Sequence, residues 1–128
     1  MNTQITLLAS VARAAAESFP STDIDNTEDY QSAIIVIDVT AVTATPSVVF
    51  TVQGKDLLSG KYYTLLASVA ITATGTTILH IGDGTADDDN IAVGTRLPRV
   101  WRIDAVHGDT DSITYSIGAD LSTGPARA

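Results

Sequence analysis

The stretch SAIIVIDVTAV, residues Ser32–Val42, decides how this chain folds. Ala33, Ile35, Ile37 and Val39 alternate onto one face, while Ile34 and Val36 occupy the other before it turns polar at Asp38 and Thr40. A period of two is the signature of a strand, and β-branched side chains suit its pleated surface. Because the segment is apolar on both faces, it predicts a strand at the centre of the fold.

The same alternation recurs outward along the chain. VVFTVQGKD (residues 48–56) places Val48, Phe50 and Val52 on one face. DLLSGK then predicts a β-hairpin tip over residues 55–61, with Gly60 supplying a positive φ. KYYTLLASVAI predicts the return strand, TATG a turn, and TTILHIG another strand. RVWRIDAVH sets Trp101, Ile103 and Ala105 against Arg102 and Asp104, which makes Trp101 a core residue. GDTD reads as a tight hairpin turn, and SITYSIGADL aligns Ile113, Tyr115, Ile117 and Ala119. Two long segments are irregular. ESFPSTDIDNTEDYQ predicts a loop anchored by Phe19 and Tyr30, and DGTADDDNIAVGTRLP a second one. STGPARA reads as an exposed C-terminal arm.

The heptapeptide TLLASVA occurs twice, at residues 6–12 and 64–70. The first copy lies in LLASVARAAAE, which is rich in helix formers yet alternates at Ile5, Leu7, Ala9 and Val11; alternation favours a strand. The second copy falls in the predicted hairpin and supports that reading. The flanks of the two copies share no pattern, so a tandem repeat is excluded. Seven to eight short strands bounded by turn residues predict an all-β chain, a single antiparallel β-sandwich or jelly roll spanning residues 1–128. An extended N-terminal segment and a short C-terminal tail complete it.

Composition narrows the function classes. The 15 acidic against 7 basic residues give a net charge of -8, which repels phosphate backbones and anionic lipid, so neither nucleic acid nor membrane surface is an expected partner. No apolar run approaches the roughly 20 residues of a membrane span. ITLLASVARAAAES mimics a secretory signal, but no Lys or Arg precedes its apolar run. The chain has no Cys, which excludes disulfides, thiolate catalysis and cysteine-ligated metals, and which fits assembly in the cytosol.

Candidate chemistry is sparse. Asp83, Asp87, Asp88, Asp89 and Asn90 concentrate hard oxygen ligands in one loop, as a Ca²⁺ site would, but without the EF-hand spacing. His80 and His107 close predicted strands and no G-x-S-x-G accompanies them, so they read as turn or sheet-surface residues rather than parts of a triad. Glu17 and Glu28 flank the first loop and do not form the facing pair that glycoside hydrolysis requires. GDG at residues 82–84 lacks the lysine and helix of a phosphate loop. Arg96, Arg99 and Arg102 form one basic patch, whose partners are either acids of a neighbouring subunit or Asp38 and Asp104 of this chain. Catalytic, cofactor-binding and metal-ligating residues are therefore not assigned.

Two long stretches resemble small structural proteins of tailed bacteriophages. One is IVIDVTAVTATPSVVFTVQGKDLLSGKYYTLLASVAITATGTTIL; the other is LPRVWRIDAVHGDTDSITYSIGADL. They cover residues 32–121 apart from the acidic loop, and DVTAVTATPS, GKDLLSGKYYTLL and HGDTDSITYSIGA are the specific pieces. The resemblance implies a virion component assembled in the host cytoplasm, above all a decoration (cement) protein outside the capsid. It implies a small β-sandwich or jelly roll, often a homotrimer, whose partner is the major capsid protein. It carries over no catalytic residue and no cofactor. A tail, neck or fibre component fits the same sequence. A calcium- or carbohydrate-binding module, supported by the acidic loop and by Tyr62 and Tyr63, is a reading from another class.

Overall fold

A computed structural model describes residues 2–123. Ten strands form in chain order: β1 (Asn2–Arg13), β2 (Ser18–Pro20), β3 (Ile24–Asp25), β4 (Ser32–Val42), β5 (Val48–Lys55), β6 (Tyr62–Ala67), β7 (Gly75–Gly82), β8 (Ala92–Val93), β9 (Val100–His107) and β10 (Ile113–Ser122). Sheet A has the order β1-β10-β4-β7-β8 and sheet B the order β2-β9-β5-β6, with β3 also on β9. Every ladder is antiparallel except the short β7–β8 pair. The chain is all-β, and two packed, mostly antiparallel sheets make the β-sandwich anticipated from the alternation. Seven strands are long; β2, β3 and β8, of two or three residues, lie inside the segments expected to be irregular.

β4 is the middle strand of sheet A, as its double-sided apolar pattern predicts. Its inner face, Ala33, Ile35, Ile37 and Val39, is buried. Its outer face is not covered by a third layer: Ile34 is exposed, beside the equally exposed Ile78 of β7. Sheet B supplies Val48, Phe50, Val52, Trp101, Ile103 and Ala105 to the same core, so Trp101 is a core residue. Each fully buried Val, Leu, Ile or Phe contributes about 1.5–3 kcal/mol through removal of apolar surface from water.

The turns between β4 and β5, between β6 and β7 and between β9 and β10 each carry the chain from one sheet to the other. GDTD is thus a crossing between sheets and not the tight hairpin expected. Its flanking residues His107 and Ile113 are both buried, which ties the two ends of the crossing to opposite walls of the core. The hairpin at residues 55–61 does form, between β5 and β6, and Gly60 has φ 75°.

The first loop is organised by a residue that composition did not single out. Asn26, buried, accepts from Tyr30 N at 2.8 Å and donates from Nδ2 to Tyr30 O at 2.9 Å. Phe19 meets the His107 ring edge-on at 4.7 Å, so both expected anchors, Phe19 and Tyr30, pack inward. β10 extends to Ser122, so the first residue of the expected C-terminal arm belongs to the sheet; residues 124–128 lie outside the described range.

Candidate functional site

The most prominent surface feature is the tip of the β5–β6 hairpin. Asp56 builds it. Its backbone N–H donates to Lys61 O at 2.8 Å and its carbonyl accepts from Gly60 N at 2.7 Å. Its carboxylate accepts from Leu58 N at 3.2 Å and from the Ser59 hydroxyl at 2.8 Å, an Asx-type closure that fixes the turn from within. The Ser59 bond, then the Leu58 bond, hold the Asp56 carboxyl below its ordinary value. This closed turn holds Leu57 and Leu58 in water, 65% and 96% exposed.

Around the tip gather Lys55, Lys61, Arg96, Arg99 and Arg102, five of the chain's seven Lys and Arg. Lys55, Arg96 and Arg99 join Leu57, Tyr63 and Pro98 in lining a cleft of about 280 Å³. The arginines find partners that the sequence reading did not name. Arg99 Nε lies 2.6 Å from Asp25, an exposed pair. Arg102 Nε donates to Gln53 Oε1 at 2.8 Å and its guanidinium covers the Tyr62 ring at 3.6 Å. Asp38 instead faces Thr76, and Asp104 is buried with Oδ1 lacking a hydrogen-bond partner, so the expected internal pairing with Asp38 and Asp104 is corrected. Register explains it. β3 and β5 flank β9 and bring Asp25 and Gln53 alongside the arginines, whereas Asp38 lies on the other sheet.

Asp23 anchors the same face. It accepts from the Tyr62 hydroxyl at 2.8 Å and pairs with Lys55 at 3.2 Å; the tyrosine bond chiefly, and Lys55 next among the favourable contacts, hold its carboxyl below the ordinary value. Tyr62 and Tyr63 point to opposite faces of β6: Tyr62 lies opposite Lys55 and under Arg102, Tyr63 packs over Gly54. Side by side in sequence, they do not form the two-ring platform of a sugar site.

The acidic loop runs alongside the second half of β6, residues 64–67. Asn90 donates from Nδ2 to Ala67 O at 3.0 Å. The loop closes on itself through Ile91 N and Ala92 N donating to Asp88 O, and Asn90 takes φ 63°. Asp87 Oδ1 caps Gly94 N at 2.7 Å. Among the described residues no three His, Asp or Glu side chains converge as a metal-ligand set. Between this loop and β7 lies a hollow of about 370 Å³ lined by His80, Ala86, Asp87, Asp88 and Ile91, with Ile91 exposed.

The histidines part company. His80 stands on the outer face of sheet A, opposite Ile34. His107 is buried at 5% exposure, against the surface position expected, because the crossing it opens runs over the core. Its Nε2 lies 2.9 Å from the Tyr115 hydroxyl. Burial first, then the Arg13 charge, lower the His107 pKa, and burial pushes Tyr115 up to about 12. The pair has no hydroxyl nucleophile and no carboxylate in hydrogen-bond range, so it is a polar tie within the core. Glu17 and Glu28, at the two ends of the first loop, remain exposed.

No helix among the described residues is long and apolar enough to cross a membrane. Compared with known protein families, curated proteins and solved structures, the chain matches none.

Proposed function

We propose that this chain is a structural protein of a tailed-phage particle, a decoration protein that clamps the outside of the head and associates with itself as a homotrimer. Its partner in this reading is the major capsid protein, and it performs no catalytic step. The observation that carries the reading is the β5–β6 tip: an internally bonded turn that holds Leu57 and Leu58 in water, next in sequence to Lys61 and the Asp23-paired Lys55. Solvent-exposed leucines on a rigid turn cost free energy in an isolated monomer and repay it only on burial against another protein. The stretch GKDLLSGKYYTLL, which spans this tip, is one of those that resemble phage structural proteins.

The mechanism is mechanical. A stable contact buries about 800 Å² per partner, roughly an eighth of this chain's 6617 Å² surface, so the domain has area for more than one neighbour. Bridging neighbouring shell subunits adds a contact that must break before they part, which raises the barrier to rupture. The test is co-sedimentation of purified protein with heads that lack it. Saturable binding in fixed stoichiometry, hundreds of copies per particle, is expected. Absence of binding refutes the reading, and a few copies per particle place the chain in the tail, neck or fibre instead.

A further inference from the structure

The hairpin tip carries exposed leucines and an exposed lysine, and the hollow beside the acidic loop carries an exposed isoleucine and carboxylates. The tip projects Leu57 and Leu58 with Lys55 and Lys61 at its base. The hollow, about 370 Å³, has Ala86 and Ile91 in its wall and Asp87 and Asp88 at its rim, with Asp89 next to them. Its apolar surface continues across β7 to Ile78 and Ile34, both exposed.

One molecule cannot bring the two together. The tip precedes Tyr62, and the acidic loop attaches at Ala67 through Asn90. Leu57 and Leu58 lie before Tyr62, at the end of the hairpin that points away, whereas the loop flanks residues 64–67. Contact between the two surfaces therefore requires a second molecule.

We propose that the tip of one copy docks into the Ile91 hollow of a second copy, leucines into the hole and Lys61 against the carboxylates, while Lys55 stays on Asp23. Charge selects this occupant. Two copies of a chain of net charge -8 repel over most approaches, and setting the one basic end against the acidic loop removes that repulsion. Each copy keeps a free tip or hollow after one contact, so the interface is head-to-tail and propagates until it closes as a ring. This deepens the self-association part of the reading above by assigning its two surfaces.

Sedimentation velocity on the purified full chain tests it. Wild type sediments as a closed oligomer. Leu57→Ser with Leu58→Ser destroys the tip, and Ile91→Ser spoils the hollow; all three positions are exposed, so circular dichroism and melting stay unchanged. Each variant alone is monomeric, with association weakened about thirtyfold or more. Mixed in equal amounts they form a dimer and nothing larger, because each retains one intact surface. Lys61→Glu weakens association in the same direction, as does added salt. A wild type that oligomerises equally well with either surface altered, or a mixture that fails to pair, overturns the assignment while leaving a homo-oligomer in place. A monomeric wild type overturns both, and the head-binding experiment then judges the clamp alone.

Discussion

The two copies of TLLASVA do the same thing in different places. The first lies in β1, the edge of sheet A; the second runs through β6, the edge of sheet B. In β1 the register passes from Thr6 opposite Gly118 to Leu8 opposite Ile117, leaving Leu7 as an extra residue. In β6 it passes from Thr64 opposite Gln53 to Leu66 opposite Val52, leaving Leu65 as the extra residue. An identical heptapeptide thus bulges at the identical leucine on both edges, where bulges bend a strand and blunt its open side. What differs is burial. Leu7 is the buried leucine of the first copy and Leu66 of the second; Leu8 and Leu65 are half-buried. Beyond the leucines the copies diverge further. Ser10 is exposed and its strand continues to Arg13, whereas Ser68 is buried just past the end of β6. The local sequence sets the bulge, and the facing sheet sets which side of it is inside.

The sharpest way to break this comparison is to truncate the leucines one at a time. Leu66→Ala costs about 3 kcal/mol by loss of burial and cavity formation, and Leu65→Ala costs about 1 kcal/mol. In the first copy the order inverts, with Leu7→Ala worse than Leu8→Ala. Urea unfolding reads all four, and equal costs within each pair would show that the bulges do not select an inner leucine.

The serines come next. Ser68 Oγ accepts from Phe50 N at 3.0 Å and donates to Val69 O at 2.7 Å. Ser68→Ala strands a buried N–H and costs about 1–3 kcal/mol, while Ser10→Ala stays within about 0.5 kcal/mol of wild type. Matching losses at the two serines would contradict their different burial.

The smallest effect appears with pH. The first copy includes Val11, which lies opposite Tyr115, the hydroxyl partner of His107, and Arg13 lies over the Tyr115 ring while bonding Ala9 O and Val11 O. Because the folded His107 pKa is lowered from 6.5, the unfolded chain binds the proton more readily. Stability is therefore full above pH 6.5 and falls as the pH drops below it. Melting temperature against pH shows this fall in wild type and loses the His107 component in His107→Gln. Tyr115→Phe flattens nothing, because burial rather than the hydroxyl is the leading cause.

Much of this architecture was legible in the sequence, and the reason is local. Strands β4, β5, β9 and β10 announce themselves by alternation, and Gly60 and Trp101 take the roles their surroundings predict. The alternation of Ile5, Leu7, Ala9 and Val11 predicts a strand, and β1 is one, yet Ala9 and Val11 are exposed where Leu7 is buried because two register shifts turn the strand over. A bulge leaves no mark in composition. β2, β3 and β8 were missed because two or three residues carry no period, and they pair with strands that arrive much later or fold back from a loop. The partners of Arg99 and Arg102, the burial of His107 and the closure of the tip by Asp56 belong to that non-local class. Leu57 and Leu58 were visible as a turn; that they stand bare could only be seen once the sheets were in place.

The ladder between β1 and β10 joins Asn2 to Ser122. On a ribosome adding about 5–20 residues each second, β1 therefore waits roughly 6–24 s before this ladder partner exists. Throughout that interval ITLLASVA, uncharged and free of proline, is an unpaired strand with the composition that recruits others of its kind. β10 is the strand that covers the open side of β1, so the yield of this protein depends on how quickly β10 follows.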